Sequence, residues 1–119
     1  MKNVFLVEDE ALIRMMIAEM VEELGHRVAA EAGNVDEATS LARTGNFDFA
    51  VLDVNLAGRS VSPVAEILES RRVPFIFASG YGATGLPQPF TERRVLRKPF
   101  LVGQLREEIA IAVSSKEGR

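Results

Sequence analysis

The 119-residue chain has no cysteine and only one histidine. Without thiols, disulfides, thiolate nucleophiles and cysteine-held metals are excluded. The single histidine, His26, follows the helix-stopping Gly25 and reads as a solvated loop or edge residue rather than a catalytic base. No apolar run approaches the roughly 20 residues of a membrane-spanning helix. Strand-like sequence begins at Asn3, leaving no room for a signal peptide. The net charge is −3, and the only dense basic cluster, Arg93, Arg94, Arg97 and Lys98, is short. Nucleic acid and anionic membranes call for a larger clustered basic excess. These absences predict a cytoplasmic protein with no nucleic-acid and no membrane partner.

What is present is ordinary in amount and specific in order. With 47% hydrophobic and 26% charged residues, the chain is expected to form one domain, 1–119, around one core. Five short apolar runs alternate with helical patterns. The first strand is placed at about Asn3–Val7. Leu12, Ile13, Met16, Ile17, Met20, Val21 and Leu24 then recur at helical spacing, with Met15, Met16 and Met20 assigned to core and rim packing. His26–Glu31 reads as an edge strand, and Asn34 with Glu37 resembles a capping box opening a helix to about Thr44. Phe47–Val54 is apolar enough for burial on both faces, as in the centre of a parallel sheet. Ser62–Pro63 reads as the N-cap and first residue of a helix ending near Arg72. Val73–Ser79 is the fourth strand and Val95–Lys98 an edge strand. Leu101, Leu105, Ile109 and Ala112 mark one face of a closing helix, and the polar residues 114–119 are expected to fray.

This alternation, with no antiparallel hairpin signal, predicts a doubly wound α/β fold with a five-stranded parallel sheet in the order 2-1-3-4-5. One segment breaks the pattern. Residues 80–89 hold three glycines and two prolines, so the fourth helix is expected to be irregular or missing, its place taken by a mobile segment beside the strand ends.

Those strand ends carry the chemistry. Glu8-Asp9 closes the first run, Asp53 the third, Ser79 the fourth, and Lys98-Pro99 the fifth. Singly, each is unremarkable: Asp9 as a helix cap, Asp53 and Ser79 as turn residues, Lys98 as a solvated edge lysine. Jointly they are the parts of a site that places a phosphoryl group on an aspartate. Repulsion among three carboxylates is relieved by a hard divalent cation. Mg²⁺ takes oxygen ligands and keeps several waters. Asp9, Asp53 and the backbone carbonyl of Asn55 are the expected direct ligands, with Glu8 acting through water or orienting the others. Lys98 would pair with a phosphoryl oxygen, and Ser79 would hydrogen-bond another.

These motifs resemble those of response-regulator receiver domains, and the likeness covers nearly the whole chain. The resemblance implies a flavodoxin-like, CheY-like fold, Asp53 as phosphoacceptor and a cis Lys98-Pro99 bond. The stretch from Pro74 to Gly82 is similar to the signature of the FAT GUY receivers of alphaproteobacteria, with serine in place of threonine. That likeness implies a phosphorelay intermediate or phosphate sink. Its partners would be a histidine kinase of the HWE or a related type and a phosphotransfer protein or downstream regulator. Val95 stands where receivers commonly carry an aromatic switch residue. Switching is therefore expected to work through ordering of residues 80–89, with Asn55 and Tyr81 flanking the path of hydrolytic water. Two other classes fit the residues less well. A non-phosphorylated interaction module is disfavoured by the complete acidic pocket with Lys98. A haloacid-dehalogenase-type phosphatase is disfavoured by Asp53-Val54-Asn55 in place of Asp-x-Asp and by the lack of room for a cap.

Overall fold

The computed structural model describes residues 1–117. Its elements run β1 (Asn3–Val7), α1 (Ala11–Glu23), β2 (Arg27–Ala32), α2 (Val35–Thr44), β3 (Phe49–Asp53), β4 (Asn55–Leu56), β5 (Arg59–Ser60), α3 (Ser62–Ser70), β6 (Phe75–Ser79), β7 (Val95–Arg97) and α4 (Val102–Glu117). The main sheet has the order β2-β1-β3-β6-β7 and is parallel throughout. It is the expected 2-1-3-4-5 arrangement, counting only its own strands.

Two-residue periodicity splits the apolar side chains between the faces of the sheet. Phe5, Val7, Ala50, Leu52, Phe75 and Phe77 pack against α2 and α3 through Val35, Ala38, Val64 and Leu68. Val4, Leu6, Phe49, Val51, Ile76 and Ala78 pack against α1 and α4 through Ile17, Val21, Leu105 and Ile109. Every residue of β3 and β6 is buried, as their unbroken apolar character predicted. At the cap of α2, the Asn34 side chain accepts the Glu37 amide at 2.8 Å, and Glu37 reaches back to the Gly33 amide. Gly25 sits just past α1 with φ +86°, the left-handed conformation that glycine adopts at least cost.

The fourth helix is absent. In its place stand a 3-10 turn, Gly82–Gly85, and an irregular stretch to Arg94 with a cis Gln88-Pro89 bond. This stretch is anchored by its apolar residues. Leu86 and Phe90 are buried, and the Phe90 ring lies 6.0 Å from Phe75 and 5.6 Å from Phe77. Arg93 adds a cation over Phe75 at 4.8 Å and an ion pair to Glu69 on α3.

Three expectations are corrected. Asn55–Leu56 and Arg59–Ser60 do form a small antiparallel hairpin, turned by Ala57 and Gly58, both at positive φ. The Ala-Gly pair is a weaker turn signal than Asn-Gly. Helix α3 starts one residue early: Val61 is its N-cap and Pro63 stands second, while the Ser60 hydroxyl, not Ser62, accepts an end amide, that of Ser62. The apolar surface of α1 exceeds what the sheet covers, so Leu12, Met15 and Met16 are exposed and only Met20 of the three methionines packs against the core.

Truncation should separate these environments. Phe77→Ala, at a fully buried central position, is expected to cost about 3–5 kcal/mol in urea unfolding. Leu12→Ala, at an exposed one, should cost under about 0.5 kcal/mol. Equal losses would contradict this packing.

Candidate functional site

Parallel register brings the polar strand ends together. Val7 pairs with Leu52, so Glu8 follows level with Asp53; Asp53 pairs with Ala78, and Ser79 with Arg97, so Lys98 emerges beside them. One carboxylate oxygen from each of Glu8, Asp9 and Asp53 lies within 4.8 Å of the other two. Lys98 Nζ sits 2.6 Å from Glu8 Oε1 and 3.3 Å from Asp53 Oδ1. Glu8, Asp53 and Ser79 are buried, Ser79 completely. The Lys98-Pro99 bond is cis, as the resemblance implied.

Each acid is oriented by separate donors. The second Glu8 oxygen accepts the Glu10 amide at 3.2 Å, so both its oxygens are engaged. Asp9 Oδ2 accepts the Ala57 amide at 3.1 Å. Ala57 has φ +52°, a left-handed conformation that costs an alanine about 1 kcal/mol. The hairpin turn is thus held against Asp9. Asn55 uses its side-chain oxygen on the Gly58 amide, closing the same turn. Ser79 Oγ accepts the Tyr81 amide at 3.0 Å. A Cβ on Gly85 would fall 2.6 Å from that oxygen, so the 3-10 turn can close over Ser79 only with glycine at this position.

Electrostatics divides the acids. Burial, reinforced by the neighbouring Glu8 carboxyl and only partly opposed by Lys98, pushes Asp53 up to about 7. Burial acts on Asp9 in the same direction but is outweighed by its contacts with Glu8, the Ala57 amide and Asp53, so Asp9 falls below the usual carboxylate range. Burial would lower Lys98, yet its bond to Glu8 and the Asp53 charge raise it, so the lysine stays an ammonium. Three carboxyls share a single ammonium, and these crowded hard oxygen donors fit a hard divalent cation such as Mg²⁺.

Glu8, Asp9, Asp53, Ser79 and Lys98 are brought together at this edge of the sheet, while the Asn55 side chain turns to its own loop. Sequence reasoning missed Ala57, Gly85 and Arg14, whose guanidinium donates to the Glu8 carbonyl at 2.7 Å. Only the Ala-Gly turn pair left a signal in the sequence.

The chain belongs to the response regulator receiver domain family, whose model matches residues 4–110. It is 32% identical over 117 residues to the transcriptional regulatory protein PdtaR of Mycobacterium tuberculosis, covering 95% of this chain and 57% of that protein. The chain therefore spans little more than half the length of the curated relatives it matches. Among solved structures, the PhyR response regulator receiver domain of Erythrobacter litoralis superposes with a TM-score of 0.82 at 30% identity, covering 95% of this chain and 90% of that one. SdrG of Pseudomonas melonis Fr1, in its BeF3-activated conformation, matches with a TM-score of 0.78 at 37% identity, covering 93% and 95%. Members of the family are signalling domains of two-component systems that pair with histidine kinases or phosphotransfer proteins, and they bind Mg²⁺ in the active site.

The raised Asp53 pKa has a consequence for stability. Its folded value, about 7, lies above the ordinary 3.8, so the folded state binds the proton more tightly. Well below pH 3.8 Asp53 is protonated in both states and nothing is lost. As pH rises toward 7, the contribution of Asp53 to the stability of the metal-free protein falls. With EDTA present, the stability advantage of Asp53→Asn over wild type should widen from pH 4 to 7, reaching about 2–4 kcal/mol, and flatten above. A gap independent of pH would contradict the burial and crowding of Asp53.

Proposed function

We propose that this domain accepts a phosphoryl group on Asp53 from a histidine kinase phosphohistidine, in a Mg²⁺-dependent reaction. The observation that carries the reading is Asp53 itself: a buried carboxylate at a strand end with Lys98 at 3.3 Å and two further carboxyls within 4.8 Å. In the transfer, a bond forms between an Asp53 oxygen and phosphorus as the phosphorus–nitrogen bond of the phosphohistidine breaks, and the leaving imidazole takes up a proton.

Asp9, Asp53 and the Asn55 backbone carbonyl would hold Mg²⁺, and Glu8, with both oxygens already engaged, would act through water or as an orienting group. When bound, the ion supplies charge neutralisation at the acids and the phosphoryl oxygens. Lys98 then moves from its closer partner Glu8 toward a phosphoryl oxygen, as a preformed counter-charge for a loose transition state. Ser79 accepts from Tyr81 and keeps its own proton to donate to another phosphoryl oxygen. Because Gly85 abuts Ser79 and no aromatic stands at Val95, engagement of that hydroxyl would be transmitted to residues 80–89. Asn55 and Tyr81, both exposed, flank the approach of hydrolytic water.

We place the domain in the cytoplasm, where ATP-fed kinases act. It would serve as a single receiver domain over 1–119, relaying the phosphoryl group, draining it or signalling by contact. A kinase of the HWE or a related type would be its donor, and a phosphotransfer protein or downstream regulator its target. Beyond its own phosphorylation and dephosphorylation it would catalyse nothing.

Incubation with Mg²⁺ and acetyl phosphate, followed by intact mass measurement, should show one phosphoryl adduct. The adduct should vanish in Asp53→Asn and with EDTA, and form about 10²-fold more slowly in Lys98→Ala. No adduct from any small donor or kinase would favour an interaction module that is never phosphorylated. Hydrogen exchange across residues 80–89 should change on phosphorylation, and identical exchange in the two states would sink the proposed switch.

A further inference from the structure

We propose that Arg14 is a positioning residue for the acidic pair, fixing the Glu8–Asp9 peptide group so that both carboxylates present correctly to a divalent cation. The assignment rests on the Mg²⁺ reading above. Arg14 lies on α1, outside the five-residue constellation, and its side chain is only 24% exposed. One guanidinium nitrogen, Nη1, donates to the Glu8 carbonyl at 2.7 Å, while Nε pairs with Glu31 Oε1 on β2 at 3.2 Å. The fork is therefore anchored at one end on a strand and grips the backbone of the acidic pair at the other. The Glu8 amide meanwhile donates to the Ala32 carbonyl at 3.0 Å. Glu8 is thus held on its amide side by β2 and on its carbonyl side by α1.

The space around the fork is equally constrained. A Cβ on Gly33 would stand 3.0 Å from Nη1 and 3.9 Å from the Glu8 carbonyl oxygen. The guanidinium fills the gap between the chain leaving β2 and the chain leaving β1. Lysine would place a point charge there but cannot span both acceptors with a planar fork.

What makes this more than an ordinary ion pair is the sign of its effect. A cation near three carboxyls should by charge alone weaken binding of another cation, so removing Arg14 should tighten Mg²⁺ binding. Orientation predicts the opposite. With the Glu8 carbonyl released, the following residue, Asp9, loses its fixed direction relative to Asp53 on the neighbouring strand, and Mg²⁺ affinity should fall. Groups that orient metal ligands from behind typically contribute about tenfold or more in affinity.

The test is Mg²⁺ titration by calorimetry on wild type, Arg14→Ala and Arg14→Lys, with amide exchange at Glu8 measured in the metal-free proteins. Both variants should raise the Mg²⁺ dissociation constant by about tenfold, and both should speed exchange of the Glu8 amide. Tighter binding in Arg14→Ala with an unchanged Arg14→Lys would show that only the charge matters and would overturn the assignment. Unchanged affinity in both, with only a lower melting temperature, would also overturn it by reducing Arg14 to a structural tie. Wild-type protein that takes up no Mg²⁺ would overturn the metal reading itself, and this assignment with it.

Discussion

The structure turns on the crowding of Glu8, Asp9 and Asp53 around a single ammonium. Isolated, such a cluster would expel itself from a protein interior, because buried like charges cannot all ionise. Here it persists because every member is tied to something rigid. Lys98 bridges Glu8 and Asp53, the Ala57 amide fixes Asp9, and the Glu8 peptide is gripped by Ala32 and Arg14. The remaining tension is expressed as a proton on Asp53, whose pKa is raised to about 7 while Asp9 is lowered. A divalent cation would replace that proton and relieve the same repulsion. Parallel pairing is what makes the cluster unavoidable, since it forces the strand ends to the same edge.

Much of this was legible in the residues. Buried parallel strands announce themselves as unbroken apolar runs, so β3 and β6 were found with their polar end residues, Asp53 and Ser79. Sheet order and the cis Lys98-Pro99 bond followed from alternation and from resemblance. What escaped was anything set by contacts between distant segments. Arg14 reads as one more basic residue on an amphipathic helix until folding puts it behind Glu8. Ala57 reads as a loop alanine until its backbone enters the left-handed region to reach Asp9. Met15 and Met16, expected in core and rim packing, are exposed for a related reason. Periodicity marks an apolar face, but not how wide a strip of it the sheet can cover.

The segment after Ser79 shows composition and packing making separate decisions. Glycines and prolines exclude a regular helix there, as expected, and a 3-10 turn takes its place. Composition does not, however, leave the segment unattached. Leu86 and Phe90 enter the core beside Phe75 and Phe77, and Arg93 reaches Glu69. The aromatic surface that an ordinary helix would have covered is closed by two anchors and a cation over a ring.

That division locates where motion can originate. From Leu86 onward, displacement would expose apolar surface and break ring contacts, at about 25 cal/mol for each Å² uncovered. Among the described side chains from Gly80 to Gly85 none enters the apolar core; Tyr81 is exposed, and Gly82 already uses φ +61°. This stretch is fastened to the site through Ser79, which accepts the Tyr81 amide and lies against Gly85. A phosphoryl oxygen drawing on the Ser79 hydroxyl would therefore act first on the part of the segment least costly to move. With valine at position 95 there is no ring to carry the change toward β7. Under the proposed switch, the glycines beside Ser79 would supply the coupling instead.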